Sequence, residues 1–198
     1  MLRTQSSGPG RFADFDLSRV PSPCFVIDEA RLRQNLEVLR GVSAAADTRI
    51  LLALKAFAMW SLAPLISEHL SGTCASGLWE AKLARKHFNG ELATYAPAFK
   101  ASEFDEIAAL SDHIVFNSPA QIKCFGARAM AASADFALRI NPEHSEAKIA
   151  LYDPCASGSR LGYPISQLET LPDRLTGLHL HNLCEQGLEP LKRTVAAV

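Results

Sequence analysis

Short apolar runs alternate with helical patterns from residue 23 onward, and brief turns join them. The apolar runs predict strands at residues 23–27, 49–57, 72–76, 93–97, 113–117, 136–142 and 177–183. Helical patterns predict helices that begin directly after the N-cap residues Asp28 and Ser118. Further helices are predicted at residues 61–70, 78–88, 102–110 and 189–198. Strands that alternate with helices favour a parallel-sheet α/β protein.

The count of these units indicates which parallel fold is formed. Six units of strand and loop begin at the strand that holds Lys55, whereas a complete TIM-type (β/α)8 barrel needs eight strands and roughly 250 residues. An open doubly wound sheet also fits six strands, but the chain has no glycine-rich phosphate turn of the dinucleotide type. The sequence ends at Val198 within a predicted helix that has no stop signal. We therefore predict a flexible leader at residues 1–18 and a partial barrel at residues 19–198.

Composition narrows the class of partner. The chain has 198 residues, 48% of them hydrophobic, and a net charge of -1, so it presents no basic field for nucleic acid. No segment is long and apolar enough to predict a membrane span. The five cysteines are widely spaced and odd in number, which favours reduced thiols and a cytoplasmic protein.

Lys55 is the only charged residue in the apolar run from Leu51 to Phe57. A lysine amine that is desolvated by apolar neighbours becomes a nucleophile for aldehydes and ketones, so the run indicates Schiff-base chemistry. The alternative is structural. Lysines also end strands, extend their ammonium group to water and protect sheet edges from aggregation.

Polar residues recur at the carboxyl ends of the predicted strands, where parallel barrels place their reactive groups. They are Lys55, Ser76, Tyr95, Asn117, Arg139 and His181. Arg139 stands in an apolar strand and requires either an anion or a salt bridge, for which Asp112 and Asp153 are candidates. The long irregular stretch from Glu143 to Cys155, which Gly158 to Gly162 follows, is predicted to be a lid or binding loop beside the barrel mouth.

His179 and His181 are two residues apart in a predicted strand, so both are expected on its inner face. Three interpretations stay open at this point. The pair binds a divalent metal with Glu185 or Cys184, as in a metal-dependent hydrolase. The outer histidine lies against an aromatic cofactor. Both are hydrogen-bonded core residues.

Several segments of the chain resemble the fold-type III pyridoxal-phosphate enzymes, and within them the carboxynorspermidine/carboxyspermidine decarboxylases. The segments are PCFVIDE (23–29), LLALKAFAMW (51–60), YAP (95–97), DHIVFNS (112–118), LRINPE (138–143), YDPC (152–155), GSRLG (158–162) and HLHNLCEQ (179–186). The resemblance implies decarboxylation of carboxynorspermidine or carboxyspermidine to norspermidine or spermidine in polyamine biosynthesis.

The resemblance also implies roles for individual residues. Lys55 would bond covalently to pyridoxal 5'-phosphate and act in catalysis, His181 would stack on its ring, and Arg139 would lie near its phenolic oxygen. Cys184 and Ser76 would line the cofactor site. Glu185, Glu143 and Asp153 are the candidates for binding the ammonium groups of the triamine, and no metal ligand is assigned.

Family members continue with two further barrel strands and a β-domain, and they form homodimers. The resemblance therefore implies that this chain is an N-terminal portion, with little decarboxylase activity alone. A non-catalytic pyridoxal-phosphate carrier and another fold-type III amino-acid decarboxylase are the related alternatives.

Overall fold

One parallel sheet organises the chain in the computed structural model, which describes residues 16–21 and 23–198. Its strands are β1 (Leu51–Ala53), β2 (Gly72–Ala75), β3 (Glu91–Tyr95), β4 (His113–Phe116), β5 (Asp135–Asn141), β6 (Tyr163–Pro164) and β7 (Gly177–His179). The α-helices are α1 (Glu29–Ala45), α2 (Ala63–Ser67), α3 (Leu78–His87), α4 (Phe104–Leu110), α5 (Pro119–Ala131) and α6 (Leu188–Ala196). Short 3-10 helices occur at Leu17–Arg19, Trp60–Leu62, Ala150–Tyr152 and Ile165–Gln167.

The strand order is that of a barrel wall. Strands β1 to β5 pair in chain order, and β7 continues the sheet on the far side of β5, always in parallel. A doubly wound sheet would reverse direction at a switch point, and this sheet does not. The two residues of β6 pair only with Ile140 and Asn141, so β6 extends the carboxyl edge of β5.

Local sequence signals set the helix boundaries. The side chain of Asp28 accepts a hydrogen bond from the N–H of Arg31 at 3.1 Å, and that of Ser118 accepts one from Gln121 at 3.3 Å. Both predicted N-caps are therefore confirmed. Pro119 follows Ser118 in the first turn of α5, where its missing N–H costs nothing. In the part of the chain that the structure describes, no helix meets the length and hydropathy needed to cross a membrane.

The strand predicted at residues 23–27 is wrong. Those residues form no regular secondary structure and pair with no strand among the described residues, and Phe25 is 93% exposed. Their β-branched and aromatic composition favours a strand, but a strand forms only where a neighbour accepts its hydrogen bonds. Of the predicted leader, residues 1–15 lie outside the described residues, and Leu17–Arg19 form a 3-10 helix.

Two apolar clusters fill the space between sheet and helices. One surrounds Ile66 and Leu92 beneath α1, α2 and α3. The other includes five phenylalanines under α4 and α5, where Phe104 is fully buried and stacks on Phe125 with ring centroids 4.5 Å apart. Because these clusters lie outside the sheet, its inner face and carboxyl edge remain free for polar side chains.

Removing the Phe104 ring should destabilise the domain strongly, since it fills the second cluster. We expect Phe104→Ala to lower the free energy of unfolding by about 3–5 kcal/mol in urea denaturation. Phe25→Ala is the matched control, and its exposed ring should change that free energy by no more than about 0.5 kcal/mol. Equal losses in the two variants would contradict the assignment of the core.

Candidate active site

A cavity of about 730 Å³ opens at the carboxyl ends of the strands. Lys55 and Ser76 contribute to its wall from just after β1 and β2, Tyr95 from the last position of β3, and Arg139 from the second half of β5. The segment after β7 contributes His181, Asn182, Cys184, Glu185 and Gln186, and the predicted lid contributes Lys148, Ile149, Tyr152 and Leu161. The parallel sheet thus brings to one edge residues that are far apart in the sequence.

Lys55 reaches this cavity from a turn rather than from a strand. Strand β1 ends at Ala53, whose carbonyl accepts hydrogen bonds from the N–H groups of Ala56 and Phe57 at 3.0 and 3.3 Å. Leu54 points into the core and Lys55 is exposed, so the expectation of a buried lysine is wrong. The apolar run was long enough for a strand, but its second half forms this turn at the cavity.

Arg139 is the most deeply placed charge in the wall, with 5% of its surface exposed. Its Nη1 donates to the Tyr95 hydroxyl at 2.7 Å, and its Nη2 makes a long contact of 3.4 Å with the carbonyl of His181. None of the ion pairs among the described residues includes Arg139, because Asp112 bonds to Arg85 instead. The salt-bridge interpretation is therefore wrong, and the guanidinium retains donors for an anion.

Three flat rings stack in a column beside Arg139. The ring of Tyr95 lies parallel to that of His179, with centroids 5.4 Å apart, and His179 lies parallel to His181 at 6.0 Å. Burial, with the nearby charge of Arg139, lowers the pKa of His179 from 6.5 to about 4 and lowers that of His181 as well. Both imidazoles are therefore neutral at pH 7 and add no charge to the wall.

The ring geometry does not support a metal site. Parallel imidazoles hold their nitrogen lone pairs in separate planes, so the pair does not converge on one ion. In residues 16–21 and 23–198, no group of three or more His, Cys, Asp and Glu side chains could hold a metal ion. The arrangement of the described residues therefore does not support the hypothesis of a metal-dependent hydrolase.

Two of the predicted ammonium-binding residues lie outside the cavity wall. Glu143 accepts a hydrogen bond from the N–H of Ser166 at 2.8 Å, which lowers the pKa of Glu143, and Asp153 accepts one from Cys155 at 2.8 Å. Both carboxylates therefore stabilise loop backbone. Glu185 does line the cavity, and its backbone has a φ of 54°, which is uncommon for a residue other than glycine.

The wall suits a flat, anionic aldehyde such as pyridoxal phosphate, the ligand that the resemblance implies. Lys55, Arg139 and Lys148 are cationic, whereas Glu185 is the one carboxylate in the lining of this cavity. The exposed face of His181 offers a surface for an aromatic ring, and Lys55 offers an amine for an aldehyde. The residues present therefore fit this group.

The sequence singled out some residues of the site and gave no role to others. Tyr95 and Asn117 were predicted as strand-end polar residues, but nothing in the sequence showed that they bond to each other. Asn182 and Gln186 belong to the HLHNLCEQ segment, which carried a signal without separating the roles of its members. Lys148 comes from the irregular loop and had no sequence signal at all.

Comparison with curated proteins gives related sequences, although no family model matches the chain. The carboxyaminopropylagmatine decarboxylase of Synechocystis sp. is 40% identical over 183 residues, covering 92% of this chain and 47% of the relative. The carboxynorspermidine/carboxyspermidine decarboxylase of Campylobacter jejuni is 41% identical over 175 residues, covering 88% of this chain and 45% of the relative. The chain thus spans about half the length of the curated relatives it matches.

Comparison with solved structures identifies the fold. The carboxynorspermidine decarboxylase of Campylobacter jejuni, complexed with norspermidine, superposes with a TM-score of 0.81 at 37% identity, covering 90% of this chain and 46% of that one. The diaminopimelate decarboxylase of Helicobacter pylori, complexed with L-lysine, gives 0.66 at 17% identity over 82% of this chain and 45% of that one. At 17% identity the second likeness shows the fold alone. The predicted fold, a partial fold-type III barrel, is confirmed.

His179 should make stability depend on pH. Between pH 6.5 and about 4 the unfolded chain protonates this histidine and the folded protein does not, so stability falls as the pH falls through that window. We expect His179→Phe, which keeps a flat ring, to remove this part of the loss in urea denaturation at pH 7, 6, 5 and 4. Parallel pH profiles of variant and wild type would contradict the low pKa.

Proposed function

We propose that this chain, which belongs to the family of the carboxynorspermidine/carboxyspermidine decarboxylases, forms a cofactor-binding barrel. The family is one of the fold-type III decarboxylases. The barrel would be part of a decarboxylase in polyamine biosynthesis. The reaction proposed is the release of carbon dioxide from the amino-acid end of a carboxylated polyamine. The chain would supply the residues that hold pyridoxal phosphate and receive the substrate.

One observation carries this proposal. Three complementary groups line the wall of one cavity. They are the amine of Lys55, the neutral imidazole of His181 and the guanidinium of Arg139, which has no carboxylate partner among the described residues. We assign Lys55 to the covalent bond with the cofactor's aldehyde, His181 to the face of its ring and Arg139 to an anionic oxygen. Ser76 and Cys184, which line the same cavity, complete the proposed cofactor site.

When bound, pyridoxal phosphate supplies the electron sink for the bonding pair that remains when carbon dioxide leaves. The protein's part is orientation and proton transfer. Because His181 is neutral, its ring would present an uncharged face to the ring of the cofactor. Lys55 lies on a turn at the cavity, where its amine can hold a proton for delivery to the substrate carbon.

The proposed substrate is a carboxylated polyamine, and Glu185 is the residue proposed to bind a remote ammonium group. Glu185 is the one carboxylate in the lining of the cavity, and the carboxylates of Glu143 and Asp153 are engaged in loop hydrogen bonds. The relatives are named for carboxyaminopropylagmatine as well as for carboxynorspermidine and carboxyspermidine, so the proposal is made for the class that these compounds share.

A cytoplasmic homodimer is proposed for the whole protein, on the basis of the family resemblance and of thiols that are all unpaired in the structure. We also propose that residues 19–198 form one barrel unit. The non-catalytic carrier shares the cofactor site, and turnover separates it from the decarboxylase, since only the enzyme releases carbon dioxide from carboxynorspermidine.

Lys55→Ala should abolish covalent binding of pyridoxal phosphate. We expect the wild-type protein to develop a visible absorption band with the cofactor and, after borohydride reduction, to gain the mass of one pyridoxyl phosphate group on the peptide that contains Lys55. Lys100→Ala is the control, because Lys100 pairs with Glu103 at 2.8 Å on the outer surface. Labelling of Lys55→Ala at wild-type level would overturn the assignment.

Glu185→Gln should weaken polyamine binding without affecting the cofactor. We expect the dissociation constant of norspermidine for the cofactor-loaded protein, measured by calorimetry, to rise about fivefold, as an ion pair of about 1 kcal/mol at a partly exposed site requires. Glu143→Gln should leave that constant unchanged. The reverse order of effects would move the ammonium site to the loop.

A further inference from the structure

Asn117, the residue after β4, connects Tyr95 of the cavity wall to the loop of residues 158–162. Its Oδ1 accepts a hydrogen bond from the Tyr95 hydroxyl at 2.9 Å and another from the N–H of Gly162 at 2.8 Å. Its Nδ2 donates to the carbonyl of Arg160 at 2.8 Å. These partners fix the orientation of the amide, because a flipped group would place Nδ2 against the Gly162 N–H and Oδ1 against the Arg160 carbonyl.

The loop segment held by Asn117 packs directly on β5. Gly162 has a φ of 84°, and a Cβ there would lie 2.8 Å from the carbonyl carbon of Ile140. Leu161, its neighbour, lines the cavity. The loop therefore packs tightly against β5 at Gly162, and the side chain of Asn117 links Gly162 to Tyr95 by hydrogen bonds.

Tyr95 links Asn117 to Arg139 by two hydrogen bonds. Its hydroxyl donates to Asn117 and accepts from Arg139 Nη1 at 2.7 Å, so one proton and one lone pair are both used. The guanidinium also lies over the Tyr95 ring, 5.0 Å from its centroid. A neutral phenol holds Arg139 without cancelling its charge, whereas a carboxylate in the same place would compete with any incoming anion.

We propose that Tyr95 and Asn117 are positioning residues, which hold the Arg139 guanidinium towards the cavity for an anionic oxygen of the cofactor and couple that orientation to the loop of residues 158–162. This inference rests on the proposed function for the identity of the anion. The chain of hydrogen bonds from Asn117 through Tyr95 to Arg139, called the relay below, exists in the protein without any ligand. It can therefore be tested separately.

The first test measures equilibrium binding of pyridoxal phosphate from its absorption spectrum. Tyr95→Phe keeps the ring stacked on His179 and removes only the hydroxyl, so it should fold and bind the cofactor about tenfold more weakly. Asn117→Ala should have a similar effect, and the double variant should be little worse than either one, because both changes break one chain of hydrogen bonds.

Ser118→Ala is the matched structural control. It removes the N-cap of α5 next to Asn117, so it should lower the melting temperature and leave cofactor binding unchanged. The inference is overturned if Tyr95→Phe binds pyridoxal phosphate as tightly as the wild type, or if Ser118→Ala weakens binding as much as Asn117→Ala does.

The second test needs no cofactor. The chain has three tyrosines, so the phenol lost in Tyr95→Phe can be identified in an ultraviolet titration. Burial raises the pKa of Tyr95. Asn117 Oδ1 accepts a hydrogen bond from the phenol and thereby favours its neutral form, so Asn117→Ala should lower this pKa, and Ser118→Ala should not.

The two tests separate the two failures. If wild-type protein binds no pyridoxal phosphate, the proposed function fails, and the titration alone decides whether the relay exists. A Tyr95 titration that is identical in wild type and Asn117→Ala would overturn the relay, whatever the cofactor result.

Discussion

A nearly buried guanidinium that has no carboxylate partner in the described part of the chain is the constraint on which this site depends. Burying an unpaired charge costs several kcal/mol, so the surroundings of Arg139 must compensate for it or await an anion. The structure does both. Tyr95 and the His181 carbonyl accept two of its hydrogen bonds, and His179 and His181 remain neutral beside it. Burial is the main cause of the lowered pKa of both imidazoles, and the charge that suits the site for an anion adds to it.

The charge of the wall separates the two proposed ligands. Lys55, Arg139 and Lys148 face the cavity against the single carboxylate of Glu185, so an empty cavity repels a polyamine. A phosphorylated cofactor would neutralise these cations, and a polycationic substrate would then meet Glu185 in a wall with little net positive charge. If the proposed ligands are correct, the electrostatics favour binding of the cofactor before the polyamine, and the same cavity would then accept two ligands of opposite charge.

The repetitive part of the fold could be predicted from the sequence, and the site could be predicted in part. Alternating apolar runs located β1 to β5 and β7, because a parallel sheet that is covered on its outer face requires them. The run at residues 23–27 has the same composition but forms no strand, since pairing depends on a neighbour that composition does not reveal. Similarly, Glu143 and Glu185 are both acidic residues that follow strands, and only the loop hydrogen bond to Ser166 distinguishes them.

The contacts that build the site follow from the curvature of the sheet. Tyr95 ends β3 and His179 ends β7, with β4 and β5 between them, so a flat sheet would separate their backbones by about 14 Å at the usual strand spacing. Their rings nevertheless stack at 5.4 Å, and Tyr95 bonds to Arg139 two strands away. Side chains can meet across intervening strands in this way only where the sheet bends around them. The curvature of the sheet is therefore what turns separate strand-end residues into one column of rings beside one cation.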